Sequence, residues 1–457
     1  MKELIKGKLN LLIGIYAIVF AIYSLIGRIM PIAKFITPIN SAFYLMLAGG
    51  GALLVCLSMI FDRHILKAKY GKLLIAFILV TVLSAVLNRD YGYRSNMVNI
   101  CWLIINIVLF YTIYMRFEKE NLLKWIRITF VVMMSIWIVA VVASIVQYVL
   151  QINYLYEVHG QIRRQGFMEG RLFGVFNDPN YAAVTSLYMV AASVWLIKTI
   201  NNKFIKTALV LNICLNAVYV VLSGSRTALI CAAFAIIMYA LCYGKNVVLK
   251  KNLKTMTMVS AVLLTVVFSL LIFFGLNLSL KKILPKFVVS TEQTSEDEEL
   301  PPANDALLER PDNTVENISN NRFNIWKGYL EALDGNEIFG LSPRNHMKYI
   351  KENSPDGYIS QSGYETHNGY LTVYVATGIV GVAVVMLFLM CVIIEFIKIY
   401  FTKMELSQSF VFAVLVVGII LINAFFFTEL FFVNNITTVL FYSLIGIAFE
   451  KKEEELV

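Results

Sequence analysis

Three motifs that border this chain's apolar runs carry arginine, and a fourth carries a histidine. RLFGVFNDPNYAA (Arg171–Ala183) carries Arg171 and Asn180, and SGSRTALI (Ser223–Ile230) carries Arg226. NRFNIWKGYLEAL (Asn321–Leu333) carries Arg322 as its second residue, and ETHNGY places His367 and Asn368 just before a further apolar run. FFFTELFF sets Glu429 among aromatic residues near the end of another. Arginine engages phosphate through two parallel hydrogen bonds. Histidine can take a proton near neutral pH. Several arginines and one histidine on one face would hold a multiply charged anion and deprotonate its reaction partner. Glycosyl transfer from a polyprenyl pyrophosphate has those needs. Its leaving group is already a stable anion, so the main demands are positive charge on the pyrophosphate and a base for an acceptor hydroxyl. No DxD or similar acidic cluster accompanies these residues, so a metal-independent reaction without a cofactor is expected.

Each residue also has a plainer reading. Asp178 can cap a helix whose first turn holds Pro179. Arg226, Arg28, Arg89 and Arg94 could be anchors at headgroup depth. Asn368 with His367 could simply start a helix, and Glu429 could sit at an interface. Among the other histidines, His64 falls on the opposite face and His159 has no motif beside it. His346 lies between Arg344 and Lys348, where a charged surface accounts for it.

The elements that must position these residues follow from composition. The 457 residues are 59% hydrophobic and 15% charged, against about 25% charged in an ordinary soluble protein. The apolar residues fall in blocks near the ~20 residues that cross a bilayer as a helix. About twelve such runs are present, of which Leu73–Leu87 and Ile436–Phe449 are short. The expected fold is all-α: a polytopic membrane bundle over residues 1–276 and 369–457, interrupted by a long extracytoplasmic loop, 277–368. Lysine concentrates in one alternate set of connections, including Lys67, Lys119, Lys203, Lys250 and Lys403. By the positive-inside rule these are cytoplasmic, as are both termini. The short outer connections carry arginine with Lys34 as the exception. The net charge of +9 is thereby a topology signal, and a nucleic-acid partner is not expected. The six cysteines all lie in apolar runs without a CxxC pair and read as small core residues.

The long loop divides in two. Thr291–Ile318 is acidic, contains proline and reads as a solvated tether. Phe323, Trp326, Leu330 and Leu333 repeat with a helical period, which predicts an amphipathic helix stopped by Gly335 and lying on the membrane or over the bundle. ATGIVG (Ala376–Gly381) follows, and its glycines suggest close helix packing.

These motifs, over roughly Arg171–Gly381, resemble the O-antigen ligase and O-antigen polymerase superfamily of bacterial envelope proteins. The resemblance rests on RLFGVFNDPNYAA, SGSRTAL, the loop helix followed by IFGLSP, and THNGYLTVYVATGIVG. It implies that Arg226 and Arg322 engage the lipid pyrophosphate and that His367 is catalytic. Arg171 is expected to share the pyrophosphate, with Asn180, Asn368 and Glu429 in support. The implied partners are an undecaprenyl-pyrophosphate-linked glycan donor, a glycan or lipid-linked acceptor and the lipids of the bacterial inner membrane. One departure stands out: the family's second glycine after the loop helix is Ser342 here. Polymerisation of repeat units is the leading expectation. Ligation of glycan to a lipid core is the alternative, and a lipid-linked oligosaccharide flippase the competitor from another class. A flippase should show two similar halves and polar groups at mid-membrane, and neither is visible.

Overall fold

The computed structural model describes residues 2–158, 161–250, 255–289, 308, 321–403 and 405–449. The acidic stretch Thr291–Ile318 apart from Leu308, along with His159, Lys451 and Lys452, lies outside them. Within hydrocarbon a backbone must satisfy its own hydrogen bonds, and every apolar run is helical. The first half contains α1 (Lys2–Ile26), α2 (Met30–Phe61), the short α3 (His64–Lys67), α4 (Gly71–Leu87), α5 (Tyr93–Ile105) and α6 (Lys119–Val149). Next come α7 (Pro179–Thr199), α8 (Lys203–Leu222), α9 (Arg226–Lys250) and α10 (Thr255–Ile283). The loop helices are α11 (Arg322–Ala332), α12 (His346–Asn353) and α13 (Tyr358–Ser362). The chain closes with α14 (Gly369–Thr402), α15 (Gln408–Asn423) and α16 (Ile436–Ala448). Among the described residues nine helices are long and apolar enough to span a membrane. Three shorter apolar helices, α4, α15 and α16, accompany them.

Burial separates core from rim. The most apolar windows of Tyr93–Met115, which continues α5 through a π-helical stretch at Asn106–Tyr111, and of α7 are 72% buried, while that of Ser260–Phe287, most of it α10, is 11% buried and faces outward. Trp137 of α6 stacks on Phe176 at 4.5 Å between ring centres, and its indole N–H donates to Ser186 Oγ at 3.0 Å. A large apolar ring with its one donor satisfied suits such a core.

One feature lies outside the all-helical expectation. Between α6 and α7 the chain forms a three-stranded antiparallel sheet, β1 (Asn153–Val158), β2 (Gln161–Met168) and β3 (Arg171–Gly174), in that order. The stretch after β3 pairs with the α1–α2 junction through an Ile29–Phe176 bridge, with Asn177 N donating to Arg28 O at 3.1 Å. The sheet therefore ties the first helical hairpin to the start of α7.

Candidate functional site

The start of α7 behaves as its sequence predicts. Asp178 accepts from the backbone N–H groups of Asn180 and Tyr181 at 2.8 and 3.1 Å, and Pro179 occupies the first turn. Arg171, at the head of β3, joins that cap to the SGSR turn. Its Nη2 donates to Asn180 Oδ1 at 2.7 Å and its Nε to Ser223 O at 3.0 Å. The turn is braced from within. Ser223 Oγ donates to Val220 O at 2.7 Å, and Ser225 Oγ caps α9 by accepting from Ala228 N at 3.2 Å. Arg226 emerges directly from this rigid turn. It lines a cavity of about 160 Å³ shared with Gly170, Gly224 and Lys281.

The long loop is held by a break in α14. Gly378 has φ 62° and ψ −167° inside the helix, a region L-residues do not populate. The backbone groups freed there bond to the IFGLSP segment. Leu341 N donates to Val375 O and Ile379 N to Glu337 O, both at 2.7 Å. A Cβ on Gly378 would lie 2.2 Å from Ile338 O, and one on Gly340 2.6 Å from Val375 O. Gly378 of ATGIVG thus admits a loop into a helix, where close helix packing was expected, while Gly381 lies against Thr377 of the same helix. Ser342 keeps the left-handed backbone, φ 78°, that glycine usually supplies. Its hydroxyl donates to Arg344 O at 2.7 Å and accepts from Asn96 Nδ2 at 3.0 Å. Asn96 and Ser342 thereby hold the turn at the position where the resemblance expects a glycine.

The loop helix α11 forms where predicted but is rotated. Ile325, Gly328, Tyr329 and Leu333 are buried, whereas Phe323 and Leu330 of the expected stripe are 67% and 52% exposed. The rotation arises because α11 packs on α13, with Gly328 against Ile359, and is strapped to the segment leading into α14. Trp326 Nε1 donates to Thr366 O at 3.1 Å, and Tyr329 Oη to Tyr364 O at 2.9 Å. These two bonds bring Arg322, at the head of the helix, beside His367. The Arg322 guanidinium lies over the Phe426 and Phe427 rings at 5.6 and 5.5 Å.

His367 is half-buried on a left-handed backbone, φ 46°, a conformation that costs energy and clusters at functional sites. Asn368 caps α14 by accepting from Tyr370 N and Leu371 N at 2.9 and 3.1 Å. Capping thus falls to Asn368. Burial and then the Arg322 charge lower the proton affinity of His367 below the ordinary histidine value. The carboxylates of Glu365 and Asp178 act the other way with smaller effect. His367 is therefore a neutral imidazole at pH 7, available to take a proton. His346 is not the surface residue expected. It is 8% exposed beneath Tyr329, and burial lowers its proton affinity too.

Glu429 lies in the turn beneath this group, 2% exposed. It pairs with Arg28 Nη2 at 2.9 Å and accepts from Asn423 and Asn435 at 2.7 and 3.1 Å. Arg28 also donates to Thr185 Oγ1 at 3.2 Å and covers the Tyr181 ring. Both charges belong to the floor of the site. The anchor reading of Arg28 is corrected: it is 8% exposed and engaged in protein contacts.

The structure sets Arg322 over Phe426 and Phe427 and within electrostatic reach of His367, and Arg171 joins Asn180 to the SGSR turn. Arg226 opens into a cavity whose lining includes neither His367 nor Arg322. Asp178 joins the two groups, as α7 cap and as a charge acting on His367. Its capping geometry masked that second influence in the sequence. Lys281, in the last turn of α10, was also missed as a companion to Arg226. The Lys281–Lys282 pair at the end of a span opposite to the lysine-rich connections was the available signal.

Residues 209–386 match the family model described as O-antigen ligase. No curated protein matches the chain.

Proposed function

We propose, from the O-antigen ligase and polymerase superfamily that the match over residues 209–386 supports, that this chain is an inner-membrane glycosyltransferase polymerising polysaccharide repeat units. Both termini are cytoplasmic and the site faces outward. The donor is a glycan on undecaprenyl pyrophosphate and the acceptor a sugar hydroxyl. The bond between the anomeric carbon and the pyrophosphate oxygen breaks, and its electron pair leaves with the pyrophosphate. The acceptor oxygen bonds to the anomeric carbon, and its proton passes to His367 and then to water. Arg322 and Arg226 offset the charge that develops on the leaving group. Arg171, bound to the SGSR turn, adds positive charge and keeps Arg226 in position. No step requires a metal, because guanidinium groups supply the positive charge.

One observation carries the reading. Arg322 and His367, 45 positions apart in the numbering, come within electrostatic reach because Trp326 and Tyr329 tie the loop helix to the backbone leading into α14. The test is purified enzyme with lipid-linked donor, with binding and turnover measured separately. His367→Ala is expected to bind donor normally and to lose about 10²–10⁴ in turnover. Turnover within a fewfold of wild type would remove His367 from the chemistry. The glycan profile of a deletion strain separates the two members of the superfamily. Single repeats without long chains indicate a polymerase; polymer held on the lipid carrier indicates a ligase.

A further inference from the structure

A second cavity, of about 450 Å³, opens between α2, α5 and the segment that precedes α12. Tyr44, Arg94, Ser95, Val98, Asn99 and Arg344 line it. Arg344 is fixed at its backbone, where its N–H donates to Asn96 Oδ1 at 2.8 Å. The neighbouring Asn345 donates to Gly92 O at 3.3 Å and to Ser95 Oγ. Arg94 rises from the first turn of α5. Both arginines are exposed, and among the described residues neither has a carboxylate partner. Two like charges at one mouth repel, and a bound anion relieves that repulsion. The floor has a different demand. Asn99 is 4% exposed; its Nδ2 donates to Phe432 O at 3.0 Å, but its Oδ1 has no hydrogen-bond partner among the described residues. A buried acceptor left open calls for a donor, and in a glycan that donor is a hydroxyl, an amide or an amino group. The ligand that answers both ends is an anionic, polyhydroxylated one.

The cavity also has a place relative to the reaction. Phe432 is five residues after Phe427, the ring beneath Arg322. At ~3.3–3.6 Å per residue the two backbones are at most about 18 Å apart, a distance an oligosaccharide covers. We infer that this cavity is the acceptor subsite, and that it holds an acidic glycan by a carboxylate or phosphate on Arg94 and Arg344 and by a sugar hydroxyl on Asn99 Oδ1. The inference rests on the glycosyl-transfer reading above and adds to it that the acceptor chain is anionic.

The test has two arms, both on the full-length chain. In the first, purified protein is titrated with a tetrasaccharide containing two uronates, with a neutral tetrasaccharide, and with phosphatidylglycerol nanodiscs as competitor. The uronate probe should bind, the neutral one should bind at least tenfold more weakly, and Arg94→Gln/Arg344→Gln should weaken the uronate at least tenfold. Absence of uronate binding, equal binding by the double variant, or displacement of the probe by phosphatidylglycerol overturns the inference, the last by identifying a lipid headgroup site. In the second, a deletion strain is complemented with Arg94→Gln/Arg344→Gln, with Arg94→Lys/Arg344→Lys and with His367→Ala. The glutamine pair should lower polymer at least tenfold while donor binding by the purified variant stays within twofold, and the lysine pair should restore part of the polymer. Wild-type polymer from the glutamine pair overturns the acceptor subsite alone. Wild-type polymer from His367→Ala overturns the reaction assigned to the chain.

Discussion

Gly378→Ala tests whether the long loop is built into α14. At φ 62° and ψ −167° the backbone belongs to glycine, and holding alanine there costs about 1–3 kcal/mol. The new Cβ would also stand 2.2 Å from Ile338 O, 2.3 Å from Ile338 C and 2.5 Å from Phe339 N. Backbone atoms so close cannot rotate aside, so the 337–341 segment must leave the break. Its departure exposes the bonds Leu341 N to Val375 O, Ile379 N to Glu337 O and Val380 N to Ile338 O. At about 0.5–1.5 kcal/mol each they add about 1.5–4.5 kcal/mol, for a total near 2.5–7.5 kcal/mol. Gly335→Ala is the control, since its φ is 81° but nothing lies within 4 Å of the new Cβ. That change costs only the backbone part, about 1–2 kcal/mol. Limited proteolysis of purified protein, with thermal unfolding in detergent, reads both. Gly378→Ala should be cleaved between residues 337 and 345 at protease levels that spare Gly335→Ala, and should lose turnover. Equal cleavage and equal melting of the two variants would falsify the docking of the loop into the helix.

Two further outcomes are expected. The proposed base role needs a neutral His367, whose proton affinity is lowered, so turnover should be flat through neutral pH and fall only at pH below the ordinary histidine value of about 6.5. Arg322→Met removes a charge that lowers that affinity, so the acidic fall should move to higher pH along with weaker donor binding; an unmoved profile would separate Arg322 from His367. Glu429→Gln leaves Arg28 charged and buried, with an expected loss of about 3–5 kcal/mol seen as a lower melting temperature, partly recovered by Arg28→Met in the same chain. A Glu429→Gln protein with unchanged melting would show that the pair is not needed for the floor.

The helices were legible because long apolar runs admit few structures in a bilayer. The positions of Asp178, Pro179 and Asn368 were legible because caps are local. The rotation of α11 was not, because the faces of Phe323 and Ile325 are both apolar and only α13 and the Thr366 backbone choose between them. The Gly378 break was hidden for a similar reason: the partner of its backbone lies in Glu337–Leu341, and ATGIVG reads equally well as a packing motif. The Arg28–Glu429 pair joins residues at nearly opposite ends of the chain, and no spacing rule links them. Within the candidate site, His367, Arg322 and Arg226 came from motifs. Lys281 and the influence of Asp178 depend on how helices pack.

The Arg28–Glu429 pair also sets a condition on biosynthesis. The two residues are separated by 401 positions, so at about 5–20 residues per second Arg28 is made roughly 20–80 s before its partner. Through that interval the Arg28 guanidinium lacks its carboxylate and has only the Tyr181 carbonyl and the Thr185 hydroxyl of α7 to bond. Any nascent chain that stops before Glu429 carries that unmet charge. The pair therefore marks completion: it forms only on a chain whose turn between α15 and α16 has arrived.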